Sequence, residues 1–345
     1  MRSLRAAVVG AGLIGSRRAA EAAGHPSSLL TVVSDAVPAV AEALAVRFGA
    51  RRAARWEEAV CAPDVDVVVV ATPNKFLAEI ATGALEAGKH VLIEKPMGRN
   101  LDEARALARV AERSGKLLKI GFNHRYHPAI RRARESLRQG AIGRLINLRI
   151  RYGHGGRPGY EKEWRGDPEL AGGGELTDQG VHALDLIHWF ASRATRVAAM
   201  TQDAVWPIAP LEDNGFALLE LADGAIASIH TSWTQWKNLF SFEVFGDGGT
   251  LVVEGLGGSY GAESLALHTR APDGGAPTIH IETFEEPDTS WKLEWDEFVG
   301  AILRGDAYSG GPADGLAVMA MLRALYESAR TKTFVSLESS EAPIA

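Results

Sequence analysis

Two textures of apolar patterning divide the chain. In the first, short apolar and β-branched runs at 6–9, 29–33, 66–71, 90–93 and 117–122 alternate with stretches of helical spacing at 17–23, 39–48, 77–87 and 101–114. The run at 66–71 holds nothing polar after its opening Asp66, as expected of a parallel strand covered on both faces. Such alternation predicts a doubly wound parallel sheet, which binds ligands in the crevice at the carboxyl ends of its strands.

After Asn123 the texture changes. A helix is expected at 128–138, then longer strands at 145–152, 197–204, 216–221, 225–234, 240–245 and 250–254. Ala222-Asp223-Gly224 and Gly246-Asp247-Gly248-Gly249 read as hairpin turns between them. Helices at 177–190, 291–303 and 314–329 complete the pattern, and 255–258 and 272–277 read as flexible loops. One mainly antiparallel sheet follows, with helices on one face and the other face exposed unless a second subunit packs on it, so a homo-oligomer is expected. The chain of 345 residues exceeds the usual single-domain length. We therefore expect an α/β protein with a Rossmann-type domain at 1–122 and an α+β domain at 123–345, whose last helices pack back on the first.

The first strand ends in Gly10-Ala11-Gly12-Leu13-Ile14-Gly15, a G-x-G-x-x-G placed between strand and helix. Gly10 would allow the turn, Gly12 would let a pyrophosphate reach the backbone, and Gly15 would let helix and strand pack closely. Leu13 and Ile14 lie in the same loop. Asp35 follows the second strand about 20 residues further on, where a ribose-binding acid belongs. Its carboxylate would accept from a ribose 2′-hydroxyl and repel a 2′-phosphate, and no Arg follows within ten residues, so NAD is expected over NADP. A helix-capping role near Pro38 is the alternative.

Composition narrows the partners. A formal charge of −6 without an unbalanced Lys/Arg block argues against a nucleic-acid partner. Cys61, the single cysteine, leaves no intrachain disulfide and suits a reducing cytoplasm. Arg2 and Arg5 before an apolar run imitate a signal peptide, but that run is already the first strand and its turn. No uninterrupted apolar stretch is long enough for a membrane span.

Candidate chemistry gathers on the helix at 177–190, introduced by Gly172-Gly173-Gly174. Asp178, His182 and Asp185 form one narrow polar stripe on an otherwise apolar and hence buried helix. Buried polar groups must be satisfied or functional, because an unpaired one costs about 1–3 kcal/mol. A core histidine held by Asp178 or Asp185 would satisfy the stripe. A metal held by Asp178 and His182 with His154 or His188 lacks a compact four-ligand cluster, so none is expected. Lys95, standing between Glu94 and Pro96 at the end of what counts as the fourth strand, adds a cation beside the place of a nicotinamide ring. An ammonium there would stabilise a developing alkoxide, His182 would take or return the hydroxyl proton, and Asp178 would fix its tautomer.

The set Gly-x-Gly-x-x-Gly, Thr72-Pro73-Asn74, Glu94-Lys95-Pro96, Gly121-Phe122-Asn123 and Asp178-Gln179-Gly180-Val181-His182 resembles the glucose–fructose oxidoreductase, inositol dehydrogenase and MocA family over nearly the whole chain. The resemblance implies Lys95, Asp178 and His182 as the catalytic residues. It implies Thr72, Pro73, Asn74, Glu94 and Lys95 along the dinucleotide, Asn123 near the nicotinamide end, and dimers or tetramers joined through the open sheet. Two positions depart from the family. Leu77 stands where a His is frequent, and Tyr126-His127 replaces the commoner aromatic–Asp pair.

The expected activity is hydride transfer between a nicotinamide and a secondary alcohol or ketone carbon of a sugar, aminosugar or cyclitol, including those of antibiotic pathways. Substrate contacts are expected from Arg125, His154, Arg157, Tyr160, Trp164 and Arg165, with Glu175 nearby. The alternative for Tyr160 and Trp164 is that they only cover the sheet. An NAD-bound hydrolase with transient redox and a non-catalytic NAD sensor are the rival functions.

Overall fold

The computed structural model describes residues 3–337, so Arg2 and residues 338–345 lie outside it. The chain opens with β1 (Leu4–Val9), α1 (Leu13–Gly24), β2 (Ser28–Ser34), α2 (Pro38–Phe48), β3 (Arg51–Ala53), α3 (Trp56–Val60), β4 (Val67–Val70), α4 (Asn74–Glu86), β5 (His90–Glu94), α5 (Leu101–Ser114) and β6 (Leu118–Gly121). Their six strands form one parallel sheet in the order β3-β2-β1-β4-β5-β6. All four residues of β4 are buried, which accounts for its unbroken valine run. The order reverses direction between β1 and β4, so the crevice for a ligand opens above their carboxyl ends. Two short elements, β3 and α3, escape the sequence pattern because three and five residues are too few to show a period. Lys95 therefore follows the fifth strand, not the fourth.

Beyond a single-turn 3₁₀ segment at Asn123–Tyr126 come α6 (Pro128–Arg138), β7 (Leu145–Gly153), α7 (Pro168–Ala171) and a π-helical turn, Leu176–Gly180, that runs straight into α8 (Val181–Phe190). The helix expected at 177–190 thus begins as a wider turn. Glu212 pins its start, accepting from the backbone N–H of Gly174 and Leu176 at 3.2 and 3.0 Å, while the Glu212 carbonyl accepts from Glu175 at 3.0 Å. Then follow β8 (Ala194–Gln202), β9 (Asn214–Leu221), β10 (Ile226–Ser232), β11 (Leu239–Gly246), β12 (Gly249–Glu254), β13 (Glu263–Thr269), β14 (Thr278–Phe284), α9 (Ser290–Arg304), α10 (Pro312–Thr331) and β15 (Val335–Ser336).

The nine strands of this second sheet lie in the order β14-β13-β12-β11-β7-β10-β9-β8-β15, and only β7 and β10 pair in parallel. Strands β13 and β14 are not among the strands read from the sequence; they flank the loop expected at 272–277. β14 is an edge strand with Ile279 and Ile281 exposed, and it lacks a buried face to impose alternation. Helix α9 returns to the first sheet and contributes Trp295, Phe298 and Val299 to the core beside β1 and β2. On the face away from the helices, Met200, Phe216 and Leu218 are 69%, 44% and 50% exposed. Among the described residues no helix is long and apolar enough to cross a membrane.

Candidate active site

The glycine loop divides its work as its spacing suggests. Gly10 has φ +92°, and a Cβ there would collide with the backbone of Ala71 and Thr72. At Gly15 a Cβ would strike the carbonyl of Gly10, whereas at Gly12 it would meet nothing within 4 Å. The loop is thus tight where helix meets strand and open where an anion would approach the start of α1. Asp35 is half-buried beside it. One carboxylate oxygen accepts from Ala11 N–H at 2.6 Å and the other from Val37 N–H at 2.8 Å, so Asp35 closes the turn beside the loop; it does not cap α2, whose N-cap is Val37 without a side-chain hydrogen bond. Thr72 Oγ1 is buried with no partner in the protein, a polar atom left for a ligand on the cleft wall. An open glycine cradle, an orphan hydroxyl and an acid at the end of β2 fit a dinucleotide.

At the end of β5, Lys95 Nζ donates to the Asp178 carbonyl at 2.5 Å and to Asp178 Oδ1 at 2.9 Å. The other carboxylate oxygen of Asp178 accepts from Arg165 Nε at 3.0 Å. Burial opposes the charge on Asp178, but Arg165 and Lys95 outweigh it and hold the carboxyl well below the usual carboxylate range. Both oxygens are therefore spent on cations, and Asp178 does not fix the His182 ring as the sequence suggested.

His182 instead stacks on His124, with ring centroids 3.7 Å apart and planes 15° from parallel. Its Nδ1 is buried without a partner. Burial first, then the positive charge of Lys95, pushes the His182 imidazole well below its ordinary value, so the ring is neutral. The polar stripe on the helix does converge on one place: Asp178 meets the end of β5, while His182 and Asp185 meet the turn after β6.

Several expected contacts lie elsewhere. Arg125 is 2% exposed and clamped by Asp185 at 2.6 Å and Asp314 at 3.1 Å, so its guanidinium is part of the interior and unavailable to a substrate. Glu94 faces inward too. It accepts from Arg18 Nε at 2.8 Å beneath α1, and Arg18 also pairs with Glu294 of α9, so Glu94 ties two layers together and does not line the cofactor cleft. Tyr160 is buried in an aromatic cluster with Trp233, 4.7 Å away, and Ile208, which makes it a core residue; Trp164 packs on the edge of that cluster.

Arg157 is an exposed partner of Glu163. Half-buried His154 accepts from Gly156 N–H at 3.0 Å. Asn74 donates to the Ala171 carbonyl at 2.8 Å and Asn123 to Ser290 Oγ at 3.2 Å, while Leu77 is fully buried. Arg165, by contrast, reaches the site through Asp178, with its guanidinium 4.4 Å from the centre of the Trp164 ring.

Sequence reasoning missed the role of His124, although Asn123-His124-Arg125 sits directly after a parallel strand. It also left open the state of Glu175. That carboxyl is wholly buried, and burial together with Asp178 and Glu212 pushes it well above the usual carboxylate range. Among the described residues no group of three or more His, Cys, Asp or Glu side chains is placed to hold a metal ion.

A dinucleotide cradle on a parallel sheet, facing a lysine and a neutral histidine, defines a nicotinamide-dependent oxidoreductase. Family comparison agrees: residues 4–122 match the model described as "Oxidoreductase family, NAD-binding Rossmann fold" and residues 130–252 match the "GFO/IDH/MocA C-terminal domain". The chain belongs to the GFO/IDH/MocA family of NAD-binding oxidoreductases that act on sugars and cyclitols.

Levoglucosan dehydrogenase of Pseudarthrobacter phenanthrenivorans is 27% identical over 73% of this chain and 74% of its own. Inositol 2-dehydrogenase of Rhizobium meliloti is 27% identical over 97% and 99%. Among solved structures, a levoglucosan dehydrogenase complex with NADH and L-sorbose superposes with TM-score 0.89 at 25% identity, covering 98% of this chain and 100% of that one. GenD2 from gentamicin A biosynthesis, in complex with NAD, superposes with TM-score 0.85 at 30% identity over 98% and 97%.

Proposed function

We propose that this protein oxidises a secondary alcohol of a sugar, aminosugar or cyclitol, or reduces the matching ketone, with Lys95 and His182 as the catalytic pair. The observation that carries this is their convergence: Lys95 is oriented by Asp178, and its charge acts on a buried neutral His182 one helical turn further on. NAD supplies the hydride acceptor or donor. The Lys95 ammonium would donate a hydrogen bond to the carbinol oxygen and lower the hydroxyl's pKa. His182, neutral and with an unoccupied ring nitrogen, would take that proton in oxidation and return it in reduction.

Residues 1–122 would carry the cofactor and residues from 123 onward the substrate. Gly10, Gly12, Leu13, Ile14, Gly15, Asp35, Thr72 and Pro73 would line the dinucleotide, with Asn74 and Asn123 holding the neighbouring backbone and α9 in place. His154, Arg157, Trp164 and Arg165 remain for the substrate side. Likeness to GenD2 supports an amino-substituted sugar of an antibiotic pathway. The bare face of the second sheet supports a homo-oligomer.

A panel of inositols, free sugars, sugar nucleotides and aminoglycoside fragments, followed by NADH fluorescence in both directions, tests this. Turnover of one class, with NADH released or consumed stoichiometrically, is expected. Cleavage of a glycosidic bond without net NADH would favour the hydrolase instead.

A further inference from the structure

We infer that His124 is a positioning residue for His182: its ring, locked by hydrogen bonds at both nitrogens, is the flat surface that sets the plane of the catalytic imidazole. The inference rests on the proposed proton-transfer role of His182. Once both oxygens of Asp178 are engaged by Lys95 and Arg165, nothing on the helix itself orients the His182 ring, and its Nδ1 has no partner. The stack on His124, at 3.7 Å and 15°, is its closest ring contact.

His124 itself is held from both sides. Its Nδ1 lies 3.2 Å from Asn123 Oδ1 and its Nε2 lies 3.1 Å from the Tyr152 hydroxyl. An amide oxygen only accepts, so Nδ1 carries the hydrogen, Nε2 is the acceptor and Tyr152 donates. The chain continues in both directions. Asn123 Nδ2 donates to Ser290 Oγ at 3.2 Å, and the Tyr152 ring packs 5.1 Å from that of Tyr260, whose hydroxyl accepts from Gln179 Nε2 at 2.8 Å. One string of hydrogen bonds thus runs from α9 through the turn after β6 to strand β7, with His124 in its middle and neutral.

A neutral neighbour matters for charge as well as for geometry. The groups acting on His182 are Lys95, His127 and Arg18, all of one sign, with Asp178 already committed, and burial adds to them. His124 is likewise pushed well below its ordinary value by burial and then by His182 and His127. Its ring closes one face of the His182 imidazole to water without adding charge.

The test compares His124→Ala, His124→Phe and His182→Ala for kcat, KM, the pH profile of kcat/KM in the oxidative direction, and NAD affinity by fluorescence quenching. For His124→Ala we expect kcat to fall by about tenfold or more with KM and NAD affinity nearly unchanged, because an unpinned ring samples unproductive orientations. The acid limb should also move to higher pH, as water reaches the imidazole and relieves its desolvation. His124→Phe loses both hydrogen bonds but keeps a flat neutral ring, held edge-on among His127, Tyr152 and Phe240, and should retain kcat within about threefold and leave the limb in place.

Wild-type kcat and limb in His124→Ala, alongside an inactive His182→Ala, would overturn the inference while leaving the proton-transfer role of His182 intact. Normal turnover by His182→Ala would remove both. Should the Ala variant not fold, the Phe variant decides alone: a tenfold loss of kcat at unchanged NAD affinity counts against the flat-surface role.

Discussion

Lys95 Nζ bridges the main-chain oxygen and the carboxylate of Asp178, at 2.5 and 2.9 Å, across the boundary between the two sheets. Asp178 also carries Arg165, so one acid from the second sheet's helix holds a cation from each side. The amine is thereby fixed in position. We expect Lys95→Ala and His182→Ala to lose about 100-fold or more in kcat, at least 2.7 kcal/mol of transition-state stabilisation, with NAD affinity retained. Single-turnover kinetics with a substrate from the panel checks this, and near-normal rates in either variant would take that residue out of the mechanism.

Arg165 shares Asp178 with Lys95 from a loop whose other residues, Tyr160 and Trp164, pack into the small aromatic cluster. In Arg165→Gln, Asp178 keeps one cation of two, and we expect kcat/KM to fall by roughly tenfold, of the order of a lost charge-assisted hydrogen bond. The change should weaken NAD binding by less than about twofold, as equilibrium titration would reveal.

The state of His182 sets the pH dependence. Its imidazole is held below its ordinary value by burial and by Lys95, so it is available as a base over most of the physiological range. For oxidation, the acid limb of kcat/KM should therefore lie below about pH 6.5, the value of an unperturbed imidazole. Reduction needs the protonated ring and should gain as pH falls. A limb above that value in the oxidative direction would contradict the neutral-base role.

Gly12 and Gly15 should separate ligand binding from folding. An added methyl at Gly12 meets no protein atom, so Gly12→Ala should keep its stability within about 0.5 kcal/mol yet lose at least tenfold in NAD affinity. At Gly15 the methyl meets the Gly10 carbonyl, and the cost should be about 3 kcal/mol or more in stability. Thermal melting with and without NAD distinguishes the two. A Gly12→Ala protein that binds NAD normally would place the pyrophosphate elsewhere.

The second sheet leaves Met200, Phe216, Leu218 and Phe334 on its outer face, beside Arg149, Arg151 and His230. If this face joins subunits, Leu218→Lys should lower the mass seen in sedimentation, while a monomeric wild type would refute the assembly outright. Soluble single-domain surfaces rarely carry apolar area of this kind without a use.

Local pattern determined much of this protein. The glycine spacing, the valine run of β4, the helical spacing of α5, and the polar stripe leading into α8 each express a constraint acting over a few neighbouring residues, so each is legible in the chain itself. Strand β14 was not legible, because an edge strand without a buried face has nothing to impose an alternation of apolar and polar residues; β13, paired on both sides, was not read as a strand either.

Which partner each polar group takes was decided only in three dimensions. Asp178 turned to Lys95 and Arg165 rather than to His182, and Arg125 and Glu94 were claimed by buried ion pairs with Asp185 and Arg18. His124 became the neighbour of His182. These choices join residues far apart in sequence, and a buried charge goes to whichever opposite charge the packing brings within hydrogen-bonding reach. No periodicity in the chain encodes that meeting.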